Sequence, residues 1–102
     1  MLIVAGTIVI DPAHREAAIA AATKAMHATR EEAGCISYTF SADFADPGGF
    51  YVFEEWESEE ALAAHFKTPH MAAFGKAIAS IQPLSLDVKA YDVSGEVPLP
   101  RG

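Results

Sequence analysis

Glu54 and Trp56 stand two residues apart in the apolar run FYVFEEW, so in an extended chain both side chains project to the same side as Phe50 and Val52. A carboxylate in such a row is costly unless it is hydrogen-bonded across the sheet, reaches water at a strand end, or has a raised pKa suited to moving a proton. The indole beside it needs an acceptor if it is buried, and indoles serve both as core filling and as walls of ligand cavities. Further along, His65 follows Leu62 by three residues and Ala61 by four, which places its imidazole on the apolar face of a helix. An inward histidine is either a core residue hydrogen-bonded to backbone or a proton acceptor, since imidazole is the one unperturbed side chain that titrates near neutral pH. Tyr38 and Phe40 share one face of another alternating segment and could be core or aromatic walls of the same space.

The other reactive side chains give weaker patterns. His70 follows His65 by five positions, about 140° around a continuous helix, and Thr68-Pro69 interrupts that helix. The pair lacks the i, i+4 spacing of helical metal ligands, and His14 and His27 belong to an earlier helix and face solvent. No set of two histidines and a carboxylate is recognisable, and no metal is expected. Cys35, the only cysteine, lies in a strand and reads as a small apolar residue rather than a nucleophile. A lone thiol cannot close an internal disulfide and is commoner in reducing compartments, so the expected location is cytoplasmic. Gly48-Gly49 belongs to a turn, and the absence of a GxGxxG or P-loop pattern leaves nucleotide cofactors without a motif.

The elements that must carry these residues follow from periodicity. Leu2 to Ile10 is dense in β-branched residues and ends at Asp11-Pro12, so it predicts a strand. Ala13 to about Glu32 places Ala18, Ile19, Ala22, Ala25, Met26 and Thr29 on one stripe of a helix that stops near Gly34. Cys35 to Asp43 and Phe50 to Trp56 read as the two strands of a hairpin joined through Asp46-Pro47-Gly48-Gly49. Ser58 caps a helix that runs to about Phe66, and Thr68-Pro69 starts another, with Met71, Phe74, Ile78 and Ile81 at helical spacing. After Pro83, Leu84 to Ala90 alternates as a last strand. The order β-α-β-β-α-β predicts an α+β, ferredoxin-like split βαβ fold, an antiparallel sheet with helices on one face. One domain is expected over residues 1–93, with an irregular tail over 94–102.

Composition narrows the partners. With 102 residues, 51% of them hydrophobic, the chain has enough material for one core and too much for a disordered segment. A formal charge of −7 would repel phosphate backbones and anionic lipid, so nucleic acid and membrane surfaces are poor partners. The longest apolar run, Leu2 to Ile10, is far shorter than the ~20 residues of a spanning helix and has no basic residues before it, so neither a membrane span nor a signal peptide is expected. The strands, however, are apolar on both sides: Ile3, Ala5 and Val9 oppose Leu2, Val4 and Ile8, and Tyr51 and Phe53 oppose Phe50 and Val52. Two helices cover one face, so a homodimer in which a second sheet covers the other face is expected.

The stretch EEAGC-I-S-Y from Glu31 to Tyr38, then Asp46-Pro47, FEEW-ES from Phe53 to Ser58, and EEALAAHFKTPHMAAF through His65 and His70 resembles the antibiotic biosynthesis monooxygenase family, with its quinol monooxygenase members. The resemblance runs from residue 2 to about residue 91. It implies a dimeric α/β barrel with a pocket between helices and sheet in each subunit, and attack by O₂ without flavin, haem or metal, so no cofactor is expected. The matching positions are Glu54, Trp56, His65 and His70. The expected activity is a cofactor-independent monooxygenase acting on a quinol or polycyclic phenol, with His65 as base, Glu54 orienting or relaying protons, and Trp56, Tyr38, Phe40 and His70 around the substrate. The alternative is a small-molecule isomerase or ligand-binding protein that uses the same cavity without consuming oxygen.

Overall fold

The computed structural model describes residues 1–101. Strand β1 (Leu2–Val9) is central, because its β-branched residues are sheathed by a neighbour on each side. It pairs antiparallel with β3 (Gly49–Trp56) along one edge and with β4 (Ser85–Asp92) along the other, and β2 (Cys35–Ala42) adds outside β3. The strand order is β2-β3-β1-β4, the ferredoxin-like arrangement. Four strands leave the sheet open, with β2 and β4 at its edges, so no barrel closes within the chain.

Helices α1 (Arg15–Thr29), α2 (Glu59–His65) and α3 (Pro69–Ile81) carry the remaining core. Ala18, Ala22 and Ala25 form the buried stripe of α1, and their short side chains let the helix lie close to the sheet. Ala25 packs with Leu2, Val4 and Trp56 and Ala18 with Ile8 and Phe50 on the inner face, where Val52 is also buried. Helix α1 stops at Thr29, where its apolar stripe ends and short of the expected end near Glu32, because Gly34 takes φ +83° and folds residues 30–34 into turns in which the Glu32 N–H bonds the Thr29 carbonyl at 2.9 Å. Strand β1 likewise ends one residue early: the Ile10 N–H turns to the Gly48 carbonyl at 2.8 Å. Beyond Val93, whose N–H bonds the Met1 carbonyl, the tail has no regular structure through Arg101, and its last residue, Gly102, lies outside the described residues.

The outer face of the sheet carries Tyr51 and Phe53 at 48% and 44% exposure, beside half-buried Ile3 and Ala5. Cross-strand pairing sets Phe53 against Ala5 and Tyr51 against Thr7, so the exposed rings lie in one continuous patch.

Gly34 is where the fold meets the site. A Cβ there would lie 2.5 Å from the Ala61 Cβ of α2, on a backbone conformation that L residues rarely adopt. Gly34→Ala is therefore expected to cost about 1–3 kcal/mol in urea denaturation, the sum of left-handed strain and a helix displaced from the sheet. A variant as stable as the parent would show that the turn relaxes freely.

Candidate active site

Three side chains from three separate segments converge at one end of the sheet. Glu32 stands in the α1–β2 turn, His65 is the last residue of α2, and His70 is in the first turn of α3. The Glu32 Oε2 lies 2.9 Å from His65 Nδ1 and 2.6 Å from His70 Nε2, so one carboxylate oxygen holds both rings. What permits this is the junction between the helices. The Thr68 hydroxyl donates to the His65 carbonyl at 2.7 Å and accepts from the Met71 N–H at 3.3 Å, closing α2 and capping α3 with a single side chain. Pro69 at the first helical position fixes the new direction. The chain break that separates the two histidines along the helix therefore re-aims His70 onto the carboxylate that holds His65.

His65 is 1% exposed and walled by rings: Trp56 at 4.9 Å between centroids, Tyr38 at 5.3 Å and Phe66 at 5.4 Å. With Nδ1 on Glu32, its Nε2 is buried without a hydrogen-bond partner. Such an atom costs about 1–3 kcal/mol unless a donor reaches it. His70 is 27% exposed and forms the solvent side of the cluster.

Glu54 and Trp56 share the inner face as their spacing requires, and the carboxylate accepts the indole N–H at 2.9 Å. The cross-strand neighbours of Glu54 are Val4 and Tyr38, so it sits in an apolar row with no lysine or arginine paired to it among the described residues. Burial pushes its pKa above the ordinary carboxylate value, partly offset by the Trp56 hydrogen bond and the nearby His65. Burial, with the Glu54 charge behind it, also pushes the Tyr38 phenol well above its ordinary value, so this hydroxyl stays protonated. The Cys35 thiol is raised chiefly by burial and then by Glu32, which is the wrong direction for a nucleophile. Trp56 and Tyr38 are both fully buried within the core.

Space for a ligand lies alongside. A groove of about 440 Å³ runs between α1 and α3, floored by Ala21, Ala25, Ala28 and Ala77, with Phe74 as a wall, Lys24 at its rim and His70 among its lining residues. That volume falls within the range of small-molecule sites. Phe40 packs tilted against Phe74 at 5.3 Å and edge-on to Tyr38 at 5.5 Å, linking the groove wall to the rings around His65.

The sequence placed His65, Trp56, Tyr38, Phe40 and Glu54 on the inner side, and they are there. It did not foresee the cluster: two histidines and a carboxylate do come together, through Glu32, and the ring of His70 shares that carboxylate instead of turning away. The reason is that the sequence shows a second helix starting at Thr68-Pro69 but not the direction it takes, and the junction turns it so that His70 meets Glu32. The signal for Glu32 was its position three residues before Cys35, whose partner across β2 and β3 is Trp56. Any side chain in that turn must fall near the end of β3 and the helix that follows.

Comparison with known proteins places the chain in context. The sequence model of the antibiotic biosynthesis monooxygenases matches residues 1–77. An uncharacterized Synechocystis protein, sll1783, is 32% identical over 91% of this chain, which spans 63% of that protein's length. YgiN of Escherichia coli, a candidate quinol monooxygenase, is 33% identical over 64% of this chain and 70% of its own. The solved structure of a candidate antibiotic biosynthesis monooxygenase from Deinococcus radiodurans superposes with a TM-score of 0.90 at 26% identity, covering 99% of this chain and all of that one.

The raised pKa of Glu54 has a measurable sign. The folded state holds the proton more tightly than the unfolded chain, so this group's contribution to stability is present at low pH and declines as pH rises through the folded value. Glu54→Gln keeps an oxygen for the Trp56 N–H and never ionises. Its melting temperature relative to the parent is expected to climb between about pH 4 and pH 7. Parallel melting curves across that interval would mean that Glu54 is not desolvated.

Proposed function

Since the chain belongs to the antibiotic biosynthesis monooxygenase family, we propose that it is a cofactor-independent monooxygenase that oxidises a quinol or polycyclic phenol with O₂. The observation that carries this reading is the buried, unpartnered Nε2 of His65, on a ring fixed by Glu32 at its other nitrogen. A base oriented by a carboxylate in a water-poor, aromatic surround is what such a reaction asks of a protein.

The substrate supplies the electrons. In a phenol whose keto tautomer bears a CH₂ between two rings, His65 takes one proton through Nε2, and Glu32 stabilises the imidazolium that forms. The resulting anion gives one electron to O₂, and the two radicals couple at carbon as a peroxide anion, which recovers the proton from His65. Loss of the second C–H proton as the O–O bond breaks leaves a carbonyl and one water, so CH₂ plus O₂ becomes C=O plus H₂O. A simple quinol loses its O–H proton instead and yields its quinone with O₂ leaving as hydrogen peroxide, a two-electron oxidation that inserts no oxygen atom. The α1–α3 groove, lined by His70 and Phe74, takes the aromatic body; Nε2 of His65 is not on its surface, so the side chains between them must part for the acidic C–H to reach it, and His70 links Glu32 to solvent for proton exchange. Glu54, whose carboxyl pKa burial raises, accepts the Trp56 N–H and so fixes the indole against the imidazole.

The same reading makes the working unit a homodimer. Tyr51, Phe53, Ile3 and Ala5 form an apolar patch on a face that no helix covers, and a two-fold partner sheet is the common way to bury one. A cytoplasmic location agrees with the lone thiol, and among the described residues no helix is long and apolar enough to cross a membrane.

Two measurements test the reading. Chelator-treated protein without flavin or haem absorbance should consume O₂ with reduced menadione or anthrone, and His65→Ala should slow turnover by about 10²–10⁴-fold at an unchanged fold, judged by melting temperature. Unchanged turnover in folded His65→Ala would remove that base, while tight quinol binding without oxygen uptake would favour the isomerase or binding role. Light scattering on a sizing column should give twice the chain mass, and a monomer at micromolar concentration would sink the interface.

A further inference from the structure

We propose that Glu32, His65 and His70 form a binding site for one divalent transition-metal ion of borderline softness, with Zn²⁺ as the probe. The donor atoms, one from each residue, lie within 4.8 Å of one another. Two imidazoles and a carboxylate are a donor set for zinc, copper, nickel or iron, and too nitrogen-rich for magnesium or calcium. A tetrahedral zinc with bonds near 2.1 Å separates its ligands by about 3.4 Å. The 2.9 Å and 2.6 Å contacts to Glu32 Oε2 thus need to open by about 0.5–0.8 Å, and the two ring nitrogens, within 4.8 Å of each other, to settle at the same spacing, changes within reach of side-chain rotation.

Three further features suit a cation. His65 is held by its ring neighbours and by the Thr68 clamp, so little ordering remains to oppose binding. Among the described residues Glu32 pairs with no lysine or arginine, and its only ion-pair partners are the two histidines. His70 is partly exposed on the α1–α3 groove, which gives the ion a way in, and three protein donors leave a fourth position for water or a ligand atom.

Occupancy has a consequence that rests on the proposed function. A metal on His65 Nδ1 leaves the ring's proton on Nε2, so the nitrogen read as the base becomes a donor. The ion would silence the oxygenase and make the site a metal-sensitive brake.

Calorimetry of the chelator-stripped full chain with ZnCl₂ should give one ion per chain, and Co²⁺ should give visible d–d absorption of tetrahedral intensity. Glu32→Gln and His70→Ala should each weaken binding at least tenfold, while His14→Ala, on the exposed start of α1, should not. Because either site variant could perturb the fold, imidazole ¹⁵N spectra of the unmodified protein provide a second readout: Zn²⁺ should shift His65 Nδ1 and His70 Nε2 together. No saturable binding, or shifts confined to His14 and His27, would overturn the site. Loss of oxygen uptake at one equivalent of Zn²⁺ supports both readings. Stoichiometric binding through these residues with oxygen uptake intact leaves the metal site standing and removes His65 Nε2 as the base.

Discussion

One carboxylate oxygen organises the functional end of this molecule. Glu32 Oε2 accepts from a ring on α2 and a ring on α3, and neither contact can exist unless three backbone events coincide. Helix α1 must stop at Thr29 so that Glu32 lies in a turn, Gly34 must take its left-handed conformation so that β2 starts beside Trp56, and the α2–α3 junction must bend at Thr68-Pro69. Each is a local decision made by one or two residues. The cluster is the place where their tolerances add, which is why a displacement of a few tenths of an ångström at Ala61 or Thr68 would be felt at the histidines rather than elsewhere.

The apolar surround gives that oxygen its leverage. Tyr38, Trp56 and Phe66 keep water from His65, so the Glu32 charge is weakly screened at Nδ1. The same exclusion penalises Glu54, whose charged form finds an indole N–H where a cation would be needed. Two carboxylates near one imidazole thus stand in different electrostatic conditions: one is tied to two histidine rings, of which His70 lines the groove, and the other is sealed in the sheet.

Much of this arrangement was legible in the sequence because it depends on period. The alternation of β1 and β3 placed Leu2, Val4, Glu54 and Trp56 inward, and the 3.6-residue spacing from Leu62 placed His65 inward. The β-α-β-β-α-β order then fixed the sheet. The rest depends on turns, where no period operates. The early end of α1 came from Gly34, and the convergence of His70 on Glu32 came from a cap that serves two helices at once; neither is a property of a stretch of sequence. Topology held the missing clue, since a split βαβ brings the α1–β2 and β3–α2 turns to the same end of the sheet.

The groove between α1 and α3 has a property that follows from its composition. Alanine has no rotamers, so a floor of Ala21, Ala25, Ala28 and Ala77 cannot rearrange to suit a visitor. Its shape is set by the two backbones, and only Phe74, His70 and Lys24 bring side chains that can turn. Such a floor behaves as a rigid gauge, and adjustment to a visitor is left to the three side chains around it, to movement of a helix, or to atoms added one methyl at a time.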